Sequence, residues 1–252
     1  MGAWAWAWAW VRAWAWAWAW VRVRVRAGRT LSLPSPSLTL PAMSHWDLPP
    51  DELERRFWSG AAFAGEFFMG ESPVHKALAK LVATLERDHI PYAIVGAMAL
   101  NAYGHRRVTE DVDVLLTREG LAAFKARNLG LGYVEKFKGS KGLRDTEFGI
   151  GVDVIFEGEY PGDGKPKPVQ FPNPSTAEVQ GMMRLLPVHR FIELKLASGL
   201  SAEHRGKDLV DVQALVEKAD LPLELGELLD ASVREEYAKR WRLAQMAKLD
   251  EH

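Results

Sequence analysis

The chain of 252 residues lacks cysteine, which excludes disulfide bonds and thiolate chemistry and fits a reducing compartment, so we expect a cytoplasmic protein. Its seven histidines are scattered and form no His-x-His or His-x-x-x-His pair, so the sequence does not predict a zinc site. The formal net charge of -1 gives no overall attraction to nucleic acid. Evidence for function must therefore come from local motifs.

The first 42 residues differ in composition from the rest. Ala-Trp repeats at positions 3–10 and 13–20, joined and followed by Val-Arg repeats, hold eight of the eleven tryptophans. A transmembrane helix would carry Arg12 at its centre, and a signal peptide would have its basic residues before the apolar run, not after it. We expect no membrane segment. We interpret residues 1–42 as low-complexity repeat and Pro/Ser linker, disordered or not native, with the native start near Met43.

Hydrophobic periodicity divides the remaining chain into an N-terminal arm at residues 43–73, a core at residues 74–186 and C-terminal helices at residues 187–252. Within the core, an amphipathic helix precedes three β-prone runs that we expect side by side, at 92–95, 112–116 and 152–156. Residues 133–148 are typical of a meander, and residues 157–174 of a long loop. Helices are predicted at 187–198 and 201–218. The predicted fold class is α/β (α+β), a mixed β-sheet flanked by helices with a helical C-terminal portion.

Two aspartates lie on one face of a predicted strand. Strand side chains alternate between faces, so Asp111 and Asp113 point the same way while Val112 and Val114 point into the core. Two adjacent like charges need a partner. A hard divalent cation suits them, because Mg²⁺ takes oxygen ligands and usually rests on one or two carboxylates plus substrate phosphates.

Two further features accompany this pair. Gly96 ends the preceding strand and begins a short helix without a capping Ser, Thr or Asp, which leaves backbone N–H groups for an anion. Asp153 shares a face with Gly151 and Ile155 on an otherwise apolar strand. The alternative interpretation of Asp153 is a lone acid on an edge strand, which the presence of Asp111 and Asp113 disfavours.

An apolar strand, a glycine at a helix start and Asp-x-Asp on the next strand resemble the nucleotidyltransferase superfamily related to DNA polymerase β. More narrowly, the pattern is similar to the AbiEii/AbiGii toxin-type nucleotidyltransferases of bacteria, and the resemblance covers residues 90–216. It implies a nucleotidyltransferase core at residues 74–186. It also implies that Asp111, Asp113 and Asp153 are catalytic and hold two Mg²⁺ ions.

The resemblance further implies a set of nucleotide-binding residues from both parts of the chain. They are Gly96, Ala97, Arg107, Thr109, Lys195, Lys207, Asp208 and Asp211. In the toxin-type family a lysine on one helix and a basic-Asp-x-x-Asp run on the next recur. Without the resemblance, Lys195 would be interpreted as a surface lysine whose stem lies along apolar neighbours. Lys207, Asp208 and Asp211 would be interpreted as solvated helix charges.

The activity implied is Mg²⁺-dependent transfer of a nucleoside monophosphate from an NTP such as ATP to a hydroxyl of RNA, tRNA or protein. A toxin-antitoxin context with an antitoxin partner is part of the same resemblance. Two other classes stay open: a catalytically idle nucleotide-binding or antitoxin-like partner on the same scaffold, and a purely structural α/β domain. Three costly carboxylates kept together favour the enzyme.

Overall fold

A computed structural model describes residues 50–250, so the interpretation of residues 1–42 and of a start near Met43 lies outside the described range. Seven α-helices and seven β-strands lie in this range. Their bounds are α1 (Pro50–Phe68), α2 (Pro73–Arg87), β1 (Ala93–Ile94), α3 (Gly96–Ala102), β2 (Asp111–Leu116), α4 (Arg118–Asn128), β3 (Tyr133–Glu135), β4 (Leu143–Asp145), β5 (Gly151–Phe156), β6 (Glu178–Gln180), β7 (Met183–Leu185), α5 (Val188–Ser201), α6 (Gly206–Lys218) and α7 (Ala231–Asp250).

The strands form one mixed sheet in the order β3-β4-β5-β2-β1-β7-β6. β2 runs parallel to β5, whereas β1 is antiparallel to β2 and parallel to β7. The predicted meander is the antiparallel succession β3-β4-β5. The three β-prone runs lie side by side as expected, and the predicted fold class is confirmed.

The main core lies between the sheet and its helices. Helix α2 begins with Pro73 at a position where the missing N–H costs nothing, and buries Leu78, Leu81 and Leu85. The alternate side chains of β2 that face this core, including Val112, are almost fully buried. The side chains between them therefore lie on the opposite face of the sheet, where the site described below is built.

The three C-terminal helices α5, α6 and α7 pack against one another. The prediction of one continuous helix over residues 201–218 is wrong, because Ala202 is extended and a 3₁₀ turn precedes α6. The break lets α6 fold back onto α5 at close range. Gly199 permits this approach, since an added Cβ would lie 2.5 Å from the side chain of Leu209. Among residues 50–250, no helix combines the length and apolarity needed to cross a membrane.

Candidate functional site

The acidic face of the sheet is formed by the parallel pair β2 and β5. Their register sets Asp111 opposite Gly151 and Asp113 opposite Asp153. Neighbouring strands lie about 4.8 Å apart, so opposite residues on one face are near neighbours. The sheet thus gathers three carboxylates on one side, while Val152 and the other alternate side chains enter the core.

The carboxylate of Asp113 lacks a local counter-charge. Within the described part of the chain, no hydrogen bond or ion pair reaches its oxygens. Burial, followed by the charges of Asp111 and Asp153, raises the pKa of Asp113 to about 6, and the charges of Lys195 and Lys136 only partly oppose this rise. The site therefore carries an excess of negative charge that a bound cation would relieve.

The other two carboxylates are held by neighbours. Thr109 Oγ1 donates a hydrogen bond to Asp111 Oδ1 at 2.6 Å. Thr109, which the resemblance assigns to nucleotide binding, thus contacts a carboxylate. Lys136 Nζ donates to Asp153 Oδ1 at 2.5 Å. Sequence reasoning missed Lys136, because only the β3-β4-β5 meander brings it to an aspartate 17 positions away.

Gly96 adjoins this acidic face. Its φ of +62° lies in the left-handed region, and an added Cβ would lie 1.9 Å from Asp113 Oδ2. Both the backbone conformation and the space therefore require glycine. The Val95 N–H also donates to the Asp113 carbonyl at 3.1 Å. As a result, the uncapped start of α3 adjoins the Asp113 carboxylate.

Helices α5 and α6 supply a network of opposite charges. Lys195 Nζ contacts Asp208 Oδ1 at 2.7 Å and Asp211 Oδ2 at 2.9 Å, and Arg107 Nη1 contacts the same Asp211 oxygen at 2.6 Å. Both aspartates are only 5% exposed. They are therefore not solvated helix charges but buried anchors that fix one lysine and one arginine.

The hydrogen bonds of Asp208 keep it ionised. Burial alone would raise the pKa of Asp208, but the charge of Lys195 and hydrogen bonds from Lys195 and Ser198 outweigh burial and lower it. Ser198 Oγ donates at 2.6 Å. Nearby, Arg205 Nη1 approaches Ser198, whereas its buried Nε has no hydrogen-bond partner within residues 50–250. Arg205 adds a third cationic group that the sequence did not single out.

The acidic and basic groups line one cleft of about 500 Å³. Nine of the eleven predicted site residues line it, namely Gly96, Ala97, Arg107, Thr109, Asp111, Asp113, Lys195, Lys207 and Asp208. Of the other two, Asp211 contacts the cleft residues Lys195 and Arg107, and Asp153 lies beside Asp113 without lining the cleft. One space therefore holds carboxylates on one wall and ammonium and guanidinium groups on another.

Loop 157–174 supplies part of the lining that the sequence did not predict. Glu159, Tyr160 and Phe171 line the cleft from this loop, and Lys141, which pairs with Glu159 at 2.7 Å, lines it from the β3-β4 connection. No local pattern marks these residues, because a Gly- and Pro-rich loop has no periodicity that fixes side-chain direction. Their positions follow from the tertiary fold alone.

The donor set of the acidic face suits a hard divalent cation by its chemistry, since Asp111, Asp113 and Asp153 offer carboxylate oxygens with excess charge. As the side chains stand, no group of three acidic or histidine residues in the described range converges on a shared ion position. One of the Asp153 oxygens is bonded to Lys136.

The fold and the site define a class: a mixed α/β protein whose paired acidic strands and basic helices face one polar cleft.

No protein-family model and no curated protein sequence matches the chain. Solved structures of similar fold include ANT(2″)-Ia in complex with adenylyl-2″-tobramycin, at 14% identity over 66% of this chain and 97% of that one, TM-score 0.43. A protein from H. pylori named "putative nucleotidyltransferase" matches at 19% identity over 70% and 94% of the two chains, TM-score 0.39. JHP933 from Helicobacter pylori matches at 17% over 71% and 92%, TM-score 0.32. Similarities at this level do not assign a family.

Proposed function

We propose that this protein is a Mg²⁺-dependent nucleotidyltransferase, which moves a nucleoside monophosphate from an NTP to an acceptor hydroxyl and releases pyrophosphate. The observation that carries the proposal is the carboxylate pair Asp111 and Asp113, facing one cleft with Lys195 and Arg107. A triphosphate carries several negative charges, so it needs cations on both sides of the transferred group.

The basic side of the cleft would bind the phosphates. Lys195 and Arg107 are held in place by buried aspartates, so their charges stay in the cleft without loss of side-chain freedom on binding. Lys207 lines the same cleft. Gly96 and Ala97 would contact the phosphates through the backbone, because no side chain at Gly96 blocks an approach beside the acids.

The acidic side would hold the metal. Asp111, Asp113 and Asp153 would be the ligands, and bound Mg²⁺ supplies charge stabilisation for the transferring phosphoryl group and activates the acceptor hydroxyl. Thr109 fixes the orientation of Asp111 through its hydrogen bond. Asp153 would take the proton of the acceptor hydroxyl, since it is the acid at the edge of the site and partly open to solvent.

The acceptor and the cellular role are narrower proposals. The resemblance of residues 90–216 to toxin-type nucleotidyltransferases favours RNA or tRNA, or a protein, as acceptor, with an antitoxin partner. ATP is the NTP we would test first.

A second candidate is a nucleotide-binding protein of the same fold that does not catalyse transfer. The Lys136–Asp153 ion pair favours it, because a carboxylate neutralised by a lysine is a poorer metal ligand than a free one.

The test is transfer of label from α-³²P-labelled NTPs, each with Mg²⁺ or with EDTA, to RNA, protein and small hydroxyl acceptors. We expect Mg²⁺-dependent labelling of at least one acceptor class, abolished in Asp113→Asn. Tight NTP binding without transfer to any acceptor would support the second candidate. Absence of both binding and transfer would contradict both.

A further inference from the structure

Lys136 lies directly after β3 and reaches across the meander to the acidic face. Its Nζ lies 2.5 Å from Asp153 Oδ1. Its charge also acts on Asp113, where it partly opposes the rise in pKa that burial and the neighbouring acids cause. A single ammonium group thus neutralises Asp153 and also acts on Asp113.

The path of the lysine is shaped by two glycines. An added Cβ at Gly142 would lie 3.0 Å from Lys136 Cδ, and one at Gly151 would lie 3.3 Å from Lys136 Nζ. The same position at Gly151 is 4.0 Å from the Cβ of Asp111, which it faces in the register. The stem and the ammonium group of Lys136 therefore lie over two positions without a side chain, the second of them opposite Asp111 in the register.

The ion pair is open to exchange. The side chains of Lys136 and Asp153 are 36% and 44% exposed, so water competes for both groups and the pair contributes little to stability. A lysine with a flexible stem can leave Asp153 without disturbing the core. The ammonium group thus neutralises Asp153 in the cation-free protein, yet a competing cation can displace it at a small cost in stability.

We propose that Lys136 is a built-in counter-ion that competes with the divalent cation for Asp153, and so sets the cation concentration at which the site assembles. This inference rests on the proposed function of the acidic face. Lys136 is a positioning residue in this scheme: it acts on the metal ligand and contacts no substrate. Displacement of its amine frees Asp153 to join Asp111 and Asp113.

The test measures cation binding directly, by calorimetric titration of Mg²⁺, and separately of Mn²⁺, into the full-length chain without nucleotide. Lys136→Met keeps an unbranched stem of similar length up to Cε and removes the charged ammonium group. We expect the Kd for Mg²⁺ to fall about 10-fold, because a divalent ion is freed from both a competitor and a repelling charge. Lys138→Met, an exposed lysine of the same connection, is the matched control and should change Kd less than about twofold.

Each other outcome overturns a defined part of the reasoning. If Lys136→Met binds Mg²⁺ no more tightly than the unmodified chain, while Asp113→Asn abolishes binding, the competition is refuted and the proposed metal site stands. An equal gain in Lys138→Met would also refute it, since general surface charge would then explain the effect. If no variant and no unmodified chain binds either cation, both the competition and the proposed metal-dependent function fail.

Discussion

The substitution Asp113→Asn tests two effects of one carboxylate separately: its contribution to nucleotidyl transfer and its effect on the stability of the metal-free protein. Asparagine keeps the size of the side chain and one acceptor oxygen but removes the charge that would hold a cation. We expect transfer to fall at least about 100-fold, the range seen when a positioned charge-stabilising group is lost. The fold should stay intact, because no hydrogen bond in the described range depends on the Asp113 carboxylate.

The effect on stability follows from the pKa of Asp113. A rise from 3.8 to about 6 corresponds to about 3 kcal/mol in the free energy of unfolding. Because the folded-state pKa lies above the unfolded one, this contribution is present below about pH 4 and is lost as the pH rises through about 6. At pH 8 the ionised carboxylate therefore destabilises the metal-free protein, and the variant escapes that cost.

The asparagine amide needs hydrogen bonds of its own, and leaving it unpaired costs about 1–3 kcal/mol. We therefore expect the variant at pH 8 to be as stable as the unmodified chain or up to about 2 kcal/mol more stable. Urea denaturation in EDTA at pH 4 and pH 8 measures both differences, and the advantage of the variant should shrink at pH 4. If Asp113→Asn unfolds the protein while transfer per folded molecule is unchanged, the carboxylate is structural and the enzyme proposal is wrong.

Three further substitutions test the surrounding structure by urea denaturation. Gly96→Ala should cost roughly 1–3 kcal/mol from backbone strain alone and more from the clash with the β2 carboxylate, whereas Gly130→Ala, at a similar φ of +78° with open space, should show the strain alone. Asp208→Asn should cost about 2 kcal/mol by breaking a buried charged hydrogen bond, against less than about 1 kcal/mol for Asp220→Asn, whose side chain is 90% exposed; equal losses would contradict the buried network. Val112→Asp should unfold the domain, since it buries an unpaired charge on the core face; a folded variant would contradict the assigned faces of β2.

Much of the fold could be predicted because its elements carry local signals. The strand at β5 has bounds close to those expected, since the buried Val152, Val154 and Phe156 alternate with the half-buried Gly151, Asp153 and Ile155. Threonine is a residue type that favours helix starts, and the Thr117 side chain caps α4 by accepting a hydrogen bond from the Gly120 N–H. By contrast, the sequence does not predict β6, because the strand has only three residues and all of them are exposed.

The residues of the site also fall into a part that local sequence predicts and a part that it does not. That Asp111 and Asp113 share one face follows from the alternation of side chains along a single strand and needs no tertiary information. The Lys136 contact, the Arg205 guanidinium and the cleft-lining part of loop 157–174 depend on which distant segments meet. A sequence pattern cannot fix those meetings, since they are decided by packing across the sheet and by the fold of α6 onto α5.

The register of β2 against β5 also bears on how the chain finds its fold. A slip of one residue would turn every side chain of β2 to the other face, driving Asp111 and Asp113 into the apolar core and exposing Val112 and Val114. Unpaired carboxylates buried in this way would make the slipped pairing far less stable than the native one. The charges of Asp111 and Asp113 thus disfavour a misregistered pairing of β2 with β5 during folding. A chain with both aspartates replaced by alanine should refold with more misregistered, aggregation-prone species, which light scattering during refolding would detect.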